Sequence, residues 1–569
     1  MFFGPAAYSI GSSVSSAGDV DGDGLDDLII GAAGGAGGKN SGEVFLITAA
    51  YLAKVDTIDG NTNGILNLIN VAGTGGSYRF VGAEAGDRAG ISVSSAGDVD
   101  GDRLDDLIIG AAKADGSGSN SGETYLIAAA DLAAADTADG HTDGVIDLDN
   151  VASQNSSYQF VGVSAGDLSG ASISSAGDVD GDGLDDLIIG AAKADGGGSN
   201  SGETYLIAAA DLAATDTADG HTDGVINPSY GSLQNSSYVF NGASSGDLSG
   251  VSVSSAGDVD GDGLDDLIIG ASHAYGGGMD SGKSYLIAAS DFKSTDAADG
   301  NTDGVIDLDN VASQNSSYQL VGVNADDFSG ASISSAGDID GDGLDDLIIG
   351  AAKADGGGSN SGETYLIAAA DLKNMDTADQ SEDGVISLAN VALQSSSYQL
   401  IGADTRDLAG TAVSSAGDVD GDGLDDLIIG ASQAIGTCHN GAPGSSYLIA
   451  GADLASLDTA DSIADGVIDL DNVASQNSSY QFIGAYDDCF SFSGSSVSSA
   501  GDVDGDRLDD LIIGAPRASG GYAYSYSGEA YLIMAVDLKN LDECGGNKSN
   551  DTKQDAIINL GYIGGEKCQ

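Results

Sequence analysis

The chain has 569 residues, with 89 acidic against 18 basic side chains and a formal charge of −71. That balance excludes nucleic acid, whose binding requires Lys and Arg to neutralise phosphates, and disfavours an anionic membrane surface. The hydrophobic fraction of 41% is too high for a chain disordered by its charge, and no apolar run approaches the about 20 residues that span a bilayer.

The chain opens MFFGPAAYSIG. No basic region precedes a long apolar stretch, so a secretory signal is read as absent or already removed. MFFG aligns with the end of a strand that recurs later, as in Arg79–Gly82. From Gly18 comes GDVDGDGLDDLIIG, with near-copies beginning at Gly97, Gly177, Gly257, Gly337, Gly417 and Gly501. Its first aspartates recur every 79 to 84 residues, which makes the chain one repeat array.

Residues 157–237 serve as the template repeat. SYQFVG reads as a short strand, followed by the polar turn VSAGDLSG. ASISSAG alternates small and apolar residues at the strand period, and the aspartate-rich loop follows. DLIIGAA suits a strand buried on both faces. KADGGGSNSG is a glycine-rich turn, ETYLIAAA another strand, and DLAATDTADGHTDGVI a short helical turn with a polar loop. NSSYVFNG restarts the cycle. Four short antiparallel strands per repeat, seven times over, predict an all-β, seven-bladed β-propeller with insertions of about 30 residues between strands three and four. The propeller is expected to occupy residues 1–543. The tail, 544–569, is read as tethered by a disulfide or used in ring closure or assembly.

Within the phrase, carboxylates fall at positions 1, 3, 5 and 9, with Gly at 6. This is close to the opening of an EF-hand loop, without its bidentate Glu at position 12. Four carboxylates in nine residues repel one another unless a cation lies among them. Hard oxygen donors in a flexible loop favour Ca²⁺ over Mg²⁺.

The pattern DxDxDGxxD, followed by LIIGA and a downstream SGETYLI, resembles the FG-GAP repeat of integrin α-chain propellers and their bacterial relatives. The resemblance covers all seven repeats, to about residue 535. It implies Ca²⁺ in the hairpin between the first two strands of each blade, up to seven ions in all. Carried over copy by copy, the side-chain ligands are Asp19, Asp21, Asp23 and Asp27; Asp98, Asp100, Asp102 and Asp106; Asp178, Asp180, Asp182 and Asp186; Asp258, Asp260, Asp262 and Asp266; Asp338, Asp340, Asp342 and Asp346; Asp418, Asp420, Asp422 and Asp426; Asp502, Asp504, Asp506 and Asp510. The position-7 carbonyls come from Leu25, Leu104, Leu184, Leu264, Leu344, Leu424 and Leu508. Two departures stand out. The Phe-Gly of the family name is mostly replaced, as in Leu168-Ser169-Gly170 and Arg88-Ala89-Gly90. Position 6 is Arg103 in one copy and Arg507 in another, which predicts weaker binding there. Asp185 and its counterparts at position 8 are expected to face solvent or a neighbouring turn.

The metal loops are expected to share a face with the insertions, and the glycine-rich loops to share the opposite face with the connections between blades. The insertions carry acids of their own, as at Asp136, Asp139, Asp143 and Asp147, which read as a plain polar turn or a second metal site. His141 and His221 read as solvated. Cys438, Cys489, Cys544 and Cys568 allow three pairings; Cys438–Cys489 and Cys544–Cys568 are expected. Asn155, Asn235, Asn315, Asn477, Asn547 and Asn550 head acceptor-type sequons, open to glycosylation or to reading as polar turns.

The last repeat lacks an outer strand, with at best a degraded copy in Gly561–Gly564. Met1–Gly4 is therefore expected to close the ring as the outer strand of blade seven. If it swung away, the open edge would accept a strand from another copy, giving head-to-tail association. No catalytic constellation appears, because His273, Lys283 and His439 are scattered without partners. The expectation is a non-enzymatic, extracellular, calcium-binding protein of cell-surface adhesion or structural assembly, including filaments. The alternative is a soluble propeller binding a protein or glycan. Disulfides and weak extracellular calcium sites both point outside the cytoplasm.

Overall fold

The structure is a computed structural model and describes the chain apart from residues 6, 36–39, 59–63, 74, 230–232, 234, 379, 435–442, 477, 486–490, 520–526, 540, 542–555 and 561–569. Seven sheets follow one another along the chain. Blade three is representative. Strand one (Ser172–Gly177) pairs antiparallel with strand two (Asp186–Ala191), which pairs with strand three (Glu203–Ile207), and that with strand four (Tyr238–Asn241). The first strands of consecutive blades are neighbours all the way round, and that of blade one (Ile10–Gly18) touches that of blade seven (Ser496–Gly501). The result is a closed seven-bladed all-β propeller with strand one innermost.

Each blade also has a fifth strand that the four-strand reading did not contain. Val305–Asp307, from the insertion of repeat four, pairs parallel with strand four of blade three. Corresponding segments of the other insertions do the same, each extending the blade before its own. The segment escaped sequence reading because three residues, Val-Ile-Asp, are too short to show a period. The insertion begins with a 3₁₀ turn (Ala209–Asp211) and a single helical turn (Leu212–Asp216).

The seam is closed as expected. Phe2–Phe3 pairs antiparallel with Glu529–Ile533 as the fourth strand of blade seven, with Phe2 opposite Ala530 and Phe3 opposite Glu529. Leu66–Asn67 adds the parallel fifth strand. Blade six takes its fifth strand, Ile557–Asn559, from the chain's last part. Gly561–Gly564 lies outside the described residues.

The core lies between blades, and this explains the uninterrupted Leu-Ile-Ile of every second strand. Leu187 and Ile189 pack toward blade two with Ile108, Leu126 and Phe160, whereas Ile188 packs toward blade four with Leu267 and Ile269. Successive residues of a strand point to opposite faces, and here both faces are buried.

Candidate metal loops on one face of the ring

In blade three the loop between strands one and two is held by its own carboxylates. Asp178 Oδ1 accepts from Gly181 N (2.7 Å) and Asp182 N (3.1 Å), and its Oδ2 accepts from Gly183 N (2.9 Å). Asp180 Oδ1 accepts from Asp182 N (3.2 Å), and Asp182 Oδ1 accepts from Leu184 N (2.9 Å). Asp186 is fully buried; its Oδ2 accepts from Val179 N (3.1 Å) and its Oδ1 from Ala209 N (2.8 Å), the start of the insertion. One aspartate therefore ties loop, strand and insertion together, which places loops and insertions on the same face.

The carboxylates converge. Asp178, Asp180 and Asp186 each place an oxygen within 4.8 Å of the others, and Asp338, Asp340 and Asp346 do the same. Positions 1, 3 and 5 converge at Asp19, Asp21 and Asp23, at Asp98, Asp100 and Asp102, and at Asp258, Asp260 and Asp262. Among the described residues, no Lys, Arg or His ion-pairs with the four carboxylates of the blade-three loop. Burial pushes Asp186 up to about 8; the Ala209 N–H opposes this and the Asp180 charge adds to it. The position-9 acids Asp27 and Asp266 reach about 8, and Asp106, Asp346, Asp426 and Asp510 about 7, with burial the largest cause throughout. A buried acid facing further acids is a donor set that fits a hard divalent ion.

Position 6 is left-handed, with φ of +87° at Gly183 and 73° and 72° at Arg103 and Arg507. A Cβ at Gly183 would meet nothing within 4 Å, so an arginine fits sterically and only its backbone is strained. Both arginines keep the loop's hydrogen bond, donating to Asp98 Oδ2 and Asp502 Oδ2 at 2.9 Å.

Position 8 takes the second of its two expected places, the neighbouring turn. Asp185 Oδ2 accepts from Asp98 N of the preceding blade (2.9 Å), and Asp185 N donates to Asp98 O (3.2 Å). The side-chain bond recurs at every junction, through Asp105, Asp265, Asp345, Asp425, Asp509 and, across the seam, Asp26. The glycine that opens the phrase makes room: at Gly97, φ is +71° and a Cβ would run into the Asp185 carboxylate. Leu184 at position 7 packs over Gly101 of the previous loop. The seven loops are therefore linked into one circuit.

The insertion acids do backbone work. Asp136 Oδ1 accepts from Gly144 N, Asp139 Oδ1 from His141 N, Asp143 Oδ1 from Val145 N and Asp147 Oδ1 from Asp149 N. His141 and His221 are exposed. The NSS motifs have a structural cause. Ser157 is buried, its Oγ accepting from Ala128 N (3.0 Å) and donating to Asp131 Oδ2 (3.0 Å). In blade five Ser397 keeps this arrangement although Ser395 replaces the asparagine. Asn155, Asn235 and Asn315 are exposed, and Asn235 Nδ2 also donates to Asp211 (3.1 Å). Asn477, Asn547, Asn550, His439 and all four cysteines lie outside the described residues.

Sequence reasoning missed Asp131 and its equivalents, and missed the buried Glu–Tyr pairs. Tyr205 donates to Glu203 Oε2 (2.5 Å), and Tyr125 and Tyr365 donate likewise to Glu123 and Glu363. The signal was present in E-T-Y, since residues two apart on a strand share a face.

The FG-GAP repeat family model matches residues 10–47, 169–207, 249–287, 329–367, 409–449 and 493–533. The chain therefore carries six matched FG-GAP repeats, which support an FG-GAP, integrin α-like repeat family. The second repeat lies outside those matches but folds into the same strands, Ser92–Gly97, Asp106–Ala111 and Glu123–Ile127. No curated protein matches the chain.

Proposed function

We propose that the protein is an extracellular, calcium-stabilised propeller that acts in cell-surface adhesion or structural assembly. The observation that carries this reading is the linked circuit of seven acidic loops on one face. Asp178, Asp180, Asp182 and Asp186, with the Leu184 carbonyl and the equivalents in the other six loops, would hold one Ca²⁺ per blade. The ion would supply positive charge among the converging carboxylates and would stiffen the hairpin. The reading is non-catalytic, because near-identical blades leave little room for a unique active centre. Among the described residues no helix is long and apolar enough to cross a membrane.

Near-identity of the blades favours a scaffold over a recognition face, which would diversify blade by blade. The partner is then a protein or glycan on a surface, or further copies of the chain joined head to tail. Strand exchange would have to release Phe2–Phe3 from blade seven, so assembly through loops is the simpler route. The second reading, a soluble propeller binding a protein or glycan ligand, shares the same calcium loops.

Calcium titration by calorimetry tests the metal assignment: saturable binding approaching seven ions per chain is expected, and absence of binding at millimolar Ca²⁺ overturns it. Size exclusion with negative-stain microscopy, with and without EDTA, separates the two readings. Calcium-dependent filaments favour assembly, and uniform single rings favour the binder.

A further inference from the structure

On the face opposite the metal loops, a side-chain stack runs between blades. It is seen in blades four and five and in blade seven, at the tenth residue before and the fifteenth after a first loop aspartate. In blade five Phe328 lies between His273 of blade four, with ring centroids 4.9 Å apart, and Lys353, 4.0 Å from its centroid. In blade seven the Arg517 guanidinium lies 4.7 Å from the Phe492 centroid. Blade one breaks the pattern at both positions, with Ser9 and Gly34. There a cavity of about 600 Å³ opens, lined by Ser9, Ser12, Gly34, Ile91, Arg88 and Arg517.

The acids of this face also retreat here. The residue before the stack position is Asp87, Asp167, Asp247, Asp327 or Asp407 in blades two to six, but Tyr8 in blade one and Ser491 in blade seven. Where the pattern is intact, in blade three, Lys193 shares its cavity with Asp167, Asp195 and Glu203. At the seam two of the chain's six arginines line one cavity. Neither makes an ion pair with a described carboxylate. Asp87, next to Arg88, turns its carboxylate onto Glu84 N (2.6 Å). Two exposed guanidiniums beside two serines, in a chain otherwise so negative, form a locally positive pocket with planar donor forks.

We propose that this seam cavity binds an oxyanion, a carboxylate or sulfate group, between Arg88 and Arg517. The site is independent of the calcium loops, which lie on the other face. The stacking of Arg517 on Phe492 presents its fork in a fixed plane and reduces the ordering cost of binding.

The test is calorimetric titration of sodium sulfate, and separately of sodium acetate, into the full chain at constant ionic strength and saturating Ca²⁺. Saturable binding of at least one of the two anions, near one per chain, is expected. Binding of both defines a general oxyanion pocket, and binding of sulfate alone one selective for dianions; both outcomes support the site. The double variant R88Q/R517Q should weaken binding at least tenfold, and R517K should weaken it several-fold by removing the fork while keeping the charge. R406Q, an arginine elsewhere, should leave binding unchanged. Circular dichroism verifies the fold of each variant. Dissociation constants above about 10 mM for both anions overturn the proposal, as does undiminished binding by R88Q/R517Q.

Discussion

Asp502 of the last blade and Asp26 of the first hold the ring shut: Asp502 N donates to Asp26 Oδ2 at 2.9 Å, and Asp26 N donates to Asp502 O at 3.1 Å. The same pair of bonds is made at the other junctions, but only here does it join residues from opposite ends of the chain. Asp26→Ala removes the acceptor and leaves the Asp502 N–H without it. A loss of about 1–3 kcal/mol in urea unfolding is expected, and Asp185→Ala, at an ordinary junction, should lose a similar amount. An unchanged unfolding midpoint for both would show that the clasp is incidental.

Closure also rests on a two-residue strand. Phe2 is 2% exposed and lies in the core that joins Ile512 of its own blade seven to Ile30 and Phe45 of blade one. Phe2→Ala should destabilise by about 3–5 kcal/mol, the usual range for emptying a buried aromatic site. Removal of residues 1–4 should do at least as much and leave Glu529–Ile533 as an open edge. Differential scanning calorimetry of both variants is the check, and a melting temperature equal to that of the full chain would refute the structural role of this strand.

Arg103 and Arg507 sit at left-handed positions that glycine occupies in the other five loops. Replacing either with Gly should raise stability by about 1 kcal/mol, the scale of the αL penalty, and should tighten calcium binding by removing a positive charge. Chemical denaturation with parallel competition against a calcium chelator dye measures the two effects separately. A loss of stability in both variants would mean that the side chain makes compensating contacts.

The ion-free protein should lose stability as the pH rises from mild acid to weak alkali. The position-9 aspartates have folded values of about 7 to 8 against an ordinary 3.8. Because the folded value is the higher one, the protonated form is favoured in the fold. Stability is therefore fully present below the ordinary value and lost as pH rises through 7 to 8. A melting temperature of EDTA-treated protein that falls between pH 5.5 and 8.5 is expected, with Ca²⁺ reversing the trend at the upper end. A flat profile would contradict the burial of these acids.

Much of this was legible because repetition turns weak signals into strong ones. The seven blades followed from the spacing of Asp19 and its copies, and the closing strand from the match between MFFG and Arg79–Gly82. The convergence of Asp178, Asp180 and Asp186 followed from the loop pattern. What stayed hidden were relationships between repeats. Nothing local in Val305–Asp307 says that it joins the previous blade, since its partner lies more than sixty residues earlier in the chain. The hold of Asp185 on Asp98 N was invisible for the same reason. Ser157 was read as the end of a sequon because its bond to Asp131 depends on how the insertion folds back.

The parallel fifth strand has a consequence for how such a chain can be cut or lengthened. Each sheet draws residues from two successive repeats, so the repeat in the sequence is not a module that can be excised. Removing one would orphan the edge of its predecessor, and a single repeat expressed alone would have neither half of its inter-blade core. The ring resembles overlapping roof tiles laid in a circle, each pinned by the next, with the first slid under the last. Unfolding should then spread around the circle as one event, and a gain or loss of blades would have to leave the two ends meeting in register.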